Sequence, residues 1–150
     1  VVPAKGQIVV ARLPQPATRG VVYAGVYDVP RKNGEHIIGS TVEYVGFDKR
    51  VTVEAVAGIL ARMTRLVPGL SEAEMLTSWG CLRPATPDGL PMLGSARPGL
   101  ILATGHFRHG ILLAPVTARL IASLVVTGRP PASLAPFRPD RPFPAGPPAG

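Results

Sequence analysis

The chain has 150 residues, of which 46% are hydrophobic, enough for a folded core and too much for a disordered segment. Its net charge is +7, yet it has no Lys/Arg run of five and only 5% aromatic residues, which argues against a nucleic-acid interface and for scattered, solvated arginines. Cys81 is the sole cysteine, so an intramolecular disulfide is excluded and a reducing, cytoplasmic setting is implied.

The chain opens Val1-Val2-Pro3, with neither Met nor a charged stretch before an apolar run, so it reads as an internal start without a signal peptide. Gln7–Leu13 is β-branched and follows Pro3 and Gly6; it predicts a strand. Val21–Val29, rich in valine and tyrosine, predicts a second strand, ended by Pro30. Asn33-Gly34 is a tight-turn signal, because both residues tolerate positive φ, and His36–Val42 reads as the return strand. Residues 21–43 therefore read as a β-hairpin.

Thr52 suits a helix N-cap, with Glu54 in the first turn near the positive end. Val53, Val56, Ala57, Leu60, Met63 and Val67 recur at helical spacing and predict one apolar face packed on a sheet, ended by Pro68-Gly69. Met75–Leu82 predicts a strand anchored by Trp79, with Arg83 at its end because Pro84 disfavours helix there. Within it Cys81 reads as a small packed group, since no strong base adjoins it in sequence.

Pro87-Asp88-Gly89 and Pro98-Gly99 are turns flanking a short strand at Leu90–Leu93, and Leu100–Thr104 is a continuous apolar run that predicts a strand buried on both faces. A loop from Gly105 to Gly110 leads to a helix that ends near Thr127 and is capped by Gly128. Pro115 fits a first turn, so either the regular helix begins at Ala114-Pro115 or a bent turn precedes it. Ile111–Val126 is interrupted by Pro115, Thr117, Arg119 and Ser123 and does not read as a membrane span. From Arg129 to Gly150 the density of proline predicts an extended or disordered tail.

Chemistry concentrates in Trp79–Pro115. The Thr104–Gly110 loop joins a strand to a helix start, where free N–H groups and a partial positive charge suit an anion, or a heterocycle that becomes anionic. Gly105 and Gly110 allow close approach to the backbone; the same pattern also serves packing alone. His106 and His109 lack an evident third ligand, so no metal site is expected. Arg83 can hold a carboxylate through two parallel hydrogen bonds or form a structural ion pair with Glu54, Glu72 or Glu74. Tyr23 and Tyr27, four apart on one predicted strand, share a face and either donate a hydroxyl to a ligand or pack in the core. No G-x-G spacing occurs anywhere, so the dinucleotide fingerprint is absent from these residues.

Five stretches in order carry a family resemblance: Val2–Gln7 (VPAKGQ), Tyr27–Arg31 (YDVPR), Ile38–Thr41 (IGST), Gly80–Pro91 (GCLRPATPDGLP) and Thr104–Pro115 (TGHFRHGILLAP). The last two are highly specific. Over roughly residues 1–128 the chain resembles the C-terminal part of the glycine oxidase branch of the D-amino-acid oxidase family of flavoproteins. The resemblance implies an α+β fold, a mainly antiparallel substrate-binding sheet with flanking helices. A C-terminal strand and helix would return to an FAD-binding domain that these residues lack.

The domain boundaries expected are 1–79 for the substrate region, 80–128 for the strand–loop–helix completing the site, and 129–150 for the tail. Arg83 is implied as the substrate-carboxylate arginine, Tyr27 as the hydroxyl beside it, Arg108 as a second active-site arginine and Val42 as a cavity-lining residue. Gly105, His106, Phe107, Arg108, His109, Gly110, Ile111 and Leu112 are implied to touch the flavin of FAD. No catalytic side chain is assigned. The family commonly carries Asn where His109 stands and Tyr where Phe107 stands. The implied activity is oxidation of glycine to glyoxylate, ammonia and H2O2, linked to thiazole formation in thiamine synthesis. Alternatives are oxidation of sarcosine, proline or a D-amino acid, or a non-catalytic carboxylate- or partner-binding domain. These residues alone are expected to be inactive, and their uncovered apolar surface predicts a homo-oligomer.

Overall fold

The structure, a computed structural model, describes residues 1–145; the end of the proline-rich tail, 146–150, lies outside the described residues. The strands are β1 (Val2–Arg12), β2 (Val22–Tyr23), β3 (Tyr27–Pro30), β4 (Glu35–Gly39), β5 (Glu74–Ala85), β6 (Met92–Arg97) and β7 (Leu100–Thr104). The helices are α1 (Val53–Leu66) and α2 (Gly110–Thr127), with 3₁₀ turns at Pro68–Glu72, Phe107–His109 and Ala132–Phe137. The chain divides into two compact units. One holds Lys5–Leu82; the other holds Val1–Ala4 and everything from Arg83 onward.

Within Lys5–Leu82 the sheet order is β2-β3-β4-β1-β5. The pairs β2–β3, β3–β4 and β4–β1 are antiparallel. The Asn33-Gly34 turn forms as its residues demand: Gly34 has φ 81, its N–H donates to Arg31 O at 3.1 Å, and Asn33 Oδ1 accepts from Glu35 N–H at 3.2 Å. The predicted strand at Val21–Val29 is instead two short strands. Gly25, at φ 72, turns the chain back so that Tyr23 and Tyr27 stand opposite each other across the β2–β3 pair. Four-residue spacing within one strand does not apply to them. The sequence from 21 onward is thus a three-stranded meander, and its return strand stops at Gly39.

One face of this sheet is covered by α1. Thr52 caps the helix, its Oγ1 accepting from Ala55 N–H at 3.3 Å. The stripe that faces the sheet is Val56, Ile59, Leu60, Met63 and Val67, joined by Leu70 from the 3₁₀ turn, against Val9, Ala11, Val26 and Ile38. Val53 and Ala57, assigned to that face from the sequence, are exposed, and Ile59 is the residue the spacing missed. Pro68 ends the helix by forcing Val67 out of helical geometry, to φ −126 and ψ 77. Neither Trp79 nor Cys81 on β5 is buried, so neither anchors nor packs there.

The other side of the molecule's polar economy is a buried network. Lys5 Nζ lies 3.1 Å from Glu43 Oε2 and donates to Arg50 O at 3.0 Å. Gln7 donates from Nε2 to Glu43 Oε1 at 2.8 Å, while its Oε1 accepts from Thr52 N–H at 2.8 Å. Thr41 Oγ1 accepts from Gln7 N–H at 3.0 Å and donates to Glu43 Oε1. A second buried pair joins β3 to β4. His36 Nε2 accepts from Ala17 N–H at 3.1 Å, so Nδ1 carries the proton and donates to Asp28 at 2.9 Å.

In the unit from Arg83 onward, β6 and β7 form a two-stranded antiparallel sheet. Its core is Leu93, Leu124 and Leu134, with Leu120, Ile121 and Phe137 against them. β7 is not buried on both faces: Leu100 and Ile101 are exposed, because its one ladder partner is β6 and no helix layer covers both sides among the described residues. α2 starts at Gly110, four residues before Ala114, with Pro115 inside it; the 3₁₀ turn Phe107–His109 precedes it, closer to the bent-turn alternative. Gly128 caps it as expected, at φ 67 with its N–H on Leu124 O at 2.9 Å. By length and composition alone Phe107–Thr127 is long and apolar enough to cross a membrane. The tail is not extended throughout: Ala132–Phe137 forms a 3₁₀ turn because Leu134 finds a site in the core.

Glu43 titrates with folding. Burial opposes its charge, but hydrogen bonds from Thr41, Gln7 and Lys5 outweigh that and hold its pKa below the ordinary carboxylate value. A carboxylate lowered in the folded state stabilises fully above its unfolded pKa and loses that contribution as pH falls through the folded one. Stability measured by urea should therefore fall below about pH 4.5. Glu43→Gln should be less stable at pH 7 and show a shallower decline in that acid window. Leu134→Ala should cost about 2–4 kcal/mol by the same measurement.

Candidate functional site: a strained strand-to-helix turn and a tyrosine on the sheet

In the unit from Arg83 onward, the turn between β7 and α2 is built by backbone constraint. Gly105 is buried with φ 79. A Cβ placed there would lie 2.7 Å from Thr86 Cγ2 and 3.4 Å from Met92 N, so both its handedness and its surroundings require glycine. Phe107 has φ 48 without being glycine, a strained conformation of the kind that clusters at ligand-contacting turns. The 3₁₀ turn Phe107–His109 closes through His109 N–H to His106 O at 2.9 Å. His106 Nε2 lies 3.0 Å from Thr117 Oγ1, tying the turn to the second turn of α2.

The start of α2 has no side-chain cap from His109, so its first-turn N–H groups are left to other acceptors. Ile111 and Leu112 beside it are 95% and 76% exposed, too open for core residues. Arg108 is exposed, its guanidinium 5.5 Å from the Phe107 ring centre. A positive helix end without a side-chain cap, flanked by bare apolar side chains, forms a surface suited to a flat heterocycle with an electron-rich edge. Among the described residues no group of three His, Cys, Asp or Glu side chains is placed to hold a metal. Arg83 is half-buried near the end of β5, as the following proline requires.

In the unit of Lys5–Leu82, Tyr27 stands opposite Gly39 on β4. A Cβ at Gly39 would lie 3.3 Å from the Tyr27 hydroxyl and 3.4 Å from Cζ, so the absence of a side chain there makes room for the phenol ring. Val42 is half-buried between Thr41 and Glu43, both anchored to β1 by the Lys5–Gln7 network and by the Lys5–Glu43 bridge. Tyr27 and Val42 thus belong to one unit; Arg83, Arg108 and the turn 105–112 belong to the other.

Sequence reasoning missed three structural supports: the Lys5–Gln7–Glu43 network, the Asp28–His36 pair and an ion pair of Asp88 with Arg141. A signal for the first was present, since Lys5 and Gln7 share the face of β1 that continues with Val9 and Ala11. Gly105→Ala should destabilise the chain by about 2–3 kcal/mol, read as a shift of the urea midpoint at constant slope.

Comparison with known proteins identifies the family. Residues 1–124 match the family described as DAO: FAD dependent oxidoreductase. The chain is 43% identical over 141 residues to glycine oxidase of Geobacillus kaustophilus strain HTA426, covering 91% of this chain and 37% of that protein. It is 44% identical over 132 residues to the bifunctional protein ThiO/ThiG of Nostoc sp. PCC 7120, covering 84% of this chain and 20% of that one. The crystal structure of glycine oxidase from Geobacillus kaustophilus superimposes with a TM-score of 0.89 at 42% identity, over 95% of this chain and 40% of that chain. The chain therefore spans well under half the length of these relatives, and the match across most of its residues places it in the DAO family of FAD-dependent oxidoreductases.

Proposed function

We propose that this chain forms the substrate-binding sheet and the cofactor-facing turn of an FAD-dependent amino-acid oxidase acting on glycine. The overall reaction is glycine, O2 and water to glyoxylate, ammonia and H2O2. The observation that carries this is the turn Gly105–Leu112: a left-handed glycine, a strained Phe107, an uncapped helix start and exposed apolar side chains, on a chain 43% identical to a glycine oxidase. Its similarity to a ThiO/ThiG protein supports a place in thiamine synthesis.

In this reading, residues 105–112 would hold the flavin ring of FAD through backbone N–H groups and apolar contact. FAD supplies the two-electron acceptor for oxidation of the amine C–N bond. The chain's own side chains bind and orient. Arg83 receives the substrate carboxylate through two parallel hydrogen bonds. Each of the remaining roles is proposed for its own unit: Arg108 contributes a second positive charge, Tyr27 offers a hydroxyl to a ligand, and Val42 offers an apolar wall. With the carboxylate fixed, the α-carbon presents one face to the acceptor.

The dinucleotide fingerprint is absent from these residues, so the 150-residue chain by itself is inactive and holds FAD weakly. The exposed apolar residues of α2 and β7 are covered by protein, either further parts of the enzyme or a second copy, rather than by lipid. We place the enzyme in the cytoplasm as a homo-oligomer.

The test uses the full-length protein with FAD and H2O2 detection across glycine, sarcosine, proline and D-alanine. Glycine should give the highest kcat/KM, and Arg83→Ala should raise its KM about 10- to 100-fold. An unchanged KM would remove Arg83 from the carboxylate site. Electron transfer to a quinone with none to O2 would overturn the oxidase assignment.

A further inference from the structure

The geometry points to Arg141, in the proline-rich tail, as a positioning residue that holds the Gly105 turn in place through the loop 86–90. The inference rests on the reading that residues 105–112 face the cofactor. Arg141 donates from Nε to Asp88 Oδ2 at 2.6 Å, and from Nη2 to Asp88 Oδ1 at 2.9 Å and Leu90 O at 2.8 Å. Its Nη1 donates to Arg138 O at 3.0 Å, and its guanidinium lies 4.6 Å from the Phe143 ring centre. The side chains of Arg141 and Asp88 are 10% and 18% exposed, against 61% for both members of the neighbouring Arg138–Asp140 pair. The former is a largely desolvated clamp across 53 positions of sequence; the latter is a surface contact between near neighbours.

The loop it grips is otherwise closed on itself. Gly89 N–H donates to Thr86 O, and Leu90 N–H to Asp88 Oδ1, each at 3.1 Å. Leu90 O receives the Thr86 hydroxyl at 2.7 Å as well as Arg141 Nη2. Arg141 and Thr86 therefore share one acceptor. Thr86 is fully buried, and its methyl occupies the space that a side chain at Gly105 would need. Thr86 thus borders Gly105 directly, with no other residue between its methyl and the side-chain direction of that glycine. The contacts run unbroken from Arg141 through Leu90 and Thr86 to the turn that leads into α2. Asp88 stays ionised across the working range of an enzyme, since the Arg141 guanidinium holds its carboxyl at about 2 against burial.

Two measurements test this, with Arg141→Ala, Arg141→Lys and Asp88→Asn. In the 150-residue chain, ¹⁵N order parameters at Gly105–His109 should fall from about 0.85 to below about 0.6 in Arg141→Ala. Amides in Lys5–Leu82 should not change. Asp88→Asn, which keeps the side-chain shape, should reproduce the effect; it also decides the matter where Arg141→Ala fails to fold. Lysine, which lacks the planar fork, should give an intermediate value. In the full-length protein, Arg141→Ala should weaken FAD binding roughly tenfold by flavin fluorescence while leaving the KM for glycine within about twofold. Order parameters at Gly105–His109 identical in folded wild-type and variant chains would overturn the assignment. So would full recovery by lysine. If the wild-type full-length protein binds no FAD, the functional reading fails while the order parameters still decide the role of Arg141.

Discussion

The sheet of Lys5–Leu82 is organised around a charge taken out of water. Lys5 is 2% exposed, and a buried ammonium is costly unless its donors are met. Glu43 and Arg50 O meet them, and this requirement draws the 40–50 segment against β1. Gln7 extends the constraint by facing Glu43 with its amide nitrogen and the cap of α1 with its oxygen. One cluster thereby fixes three things: the path of the chain beyond β4, the position of Val42, and the point where α1 begins. Among the described residues no buried side-chain nitrogen or oxygen lacks a partner, as a network of this kind requires.

Much of this fold was legible where a residue dictates its own backbone. Asn33-Gly34, Thr52, Pro68, Pro98-Gly99 and Gly128 all do what their local chemistry predicts, because turns and caps depend on few neighbours. The failures fall where tertiary context decides. Gly25 splits an apparently continuous strand, since a β-rich composition does not reveal a reversal within it. The face of α1 was misjudged at Val53, Ala57 and Ile59 because all three are apolar, and only the sheet beneath chooses among them. Pro115 left two readings open, a helix start at Ala114-Pro115 or a bent turn before it, and only the fold shows the 3₁₀ turn running into α2 at Gly110.

The family was legible in a different way. The order of motifs around Arg83 and Gly105 carried it. The physics of the turn came only from coordinates: the positive φ of Phe107 and the Thr86 methyl against Gly105 leave no mark on composition or periodicity. The Asp88–Arg141 pair was invisible for the same reason, because contact between residues 53 apart has no local signature.

The proline content of the segment after Gly128 suggested disorder, and the same content lowers what its docking costs. Proline restricts φ in the unfolded chain as well as the folded one, so a segment dense in it has less conformational freedom to surrender on docking. Leu134, Phe137 and the bidentate Arg141 are among the anchors of its described residues, and a glycine- or serine-rich segment of equal length would need more. Replacing those prolines by flexible residues would loosen the segment by more than the loss of their ring contacts, an entropic cost that no inspection of side-chain contacts would reveal.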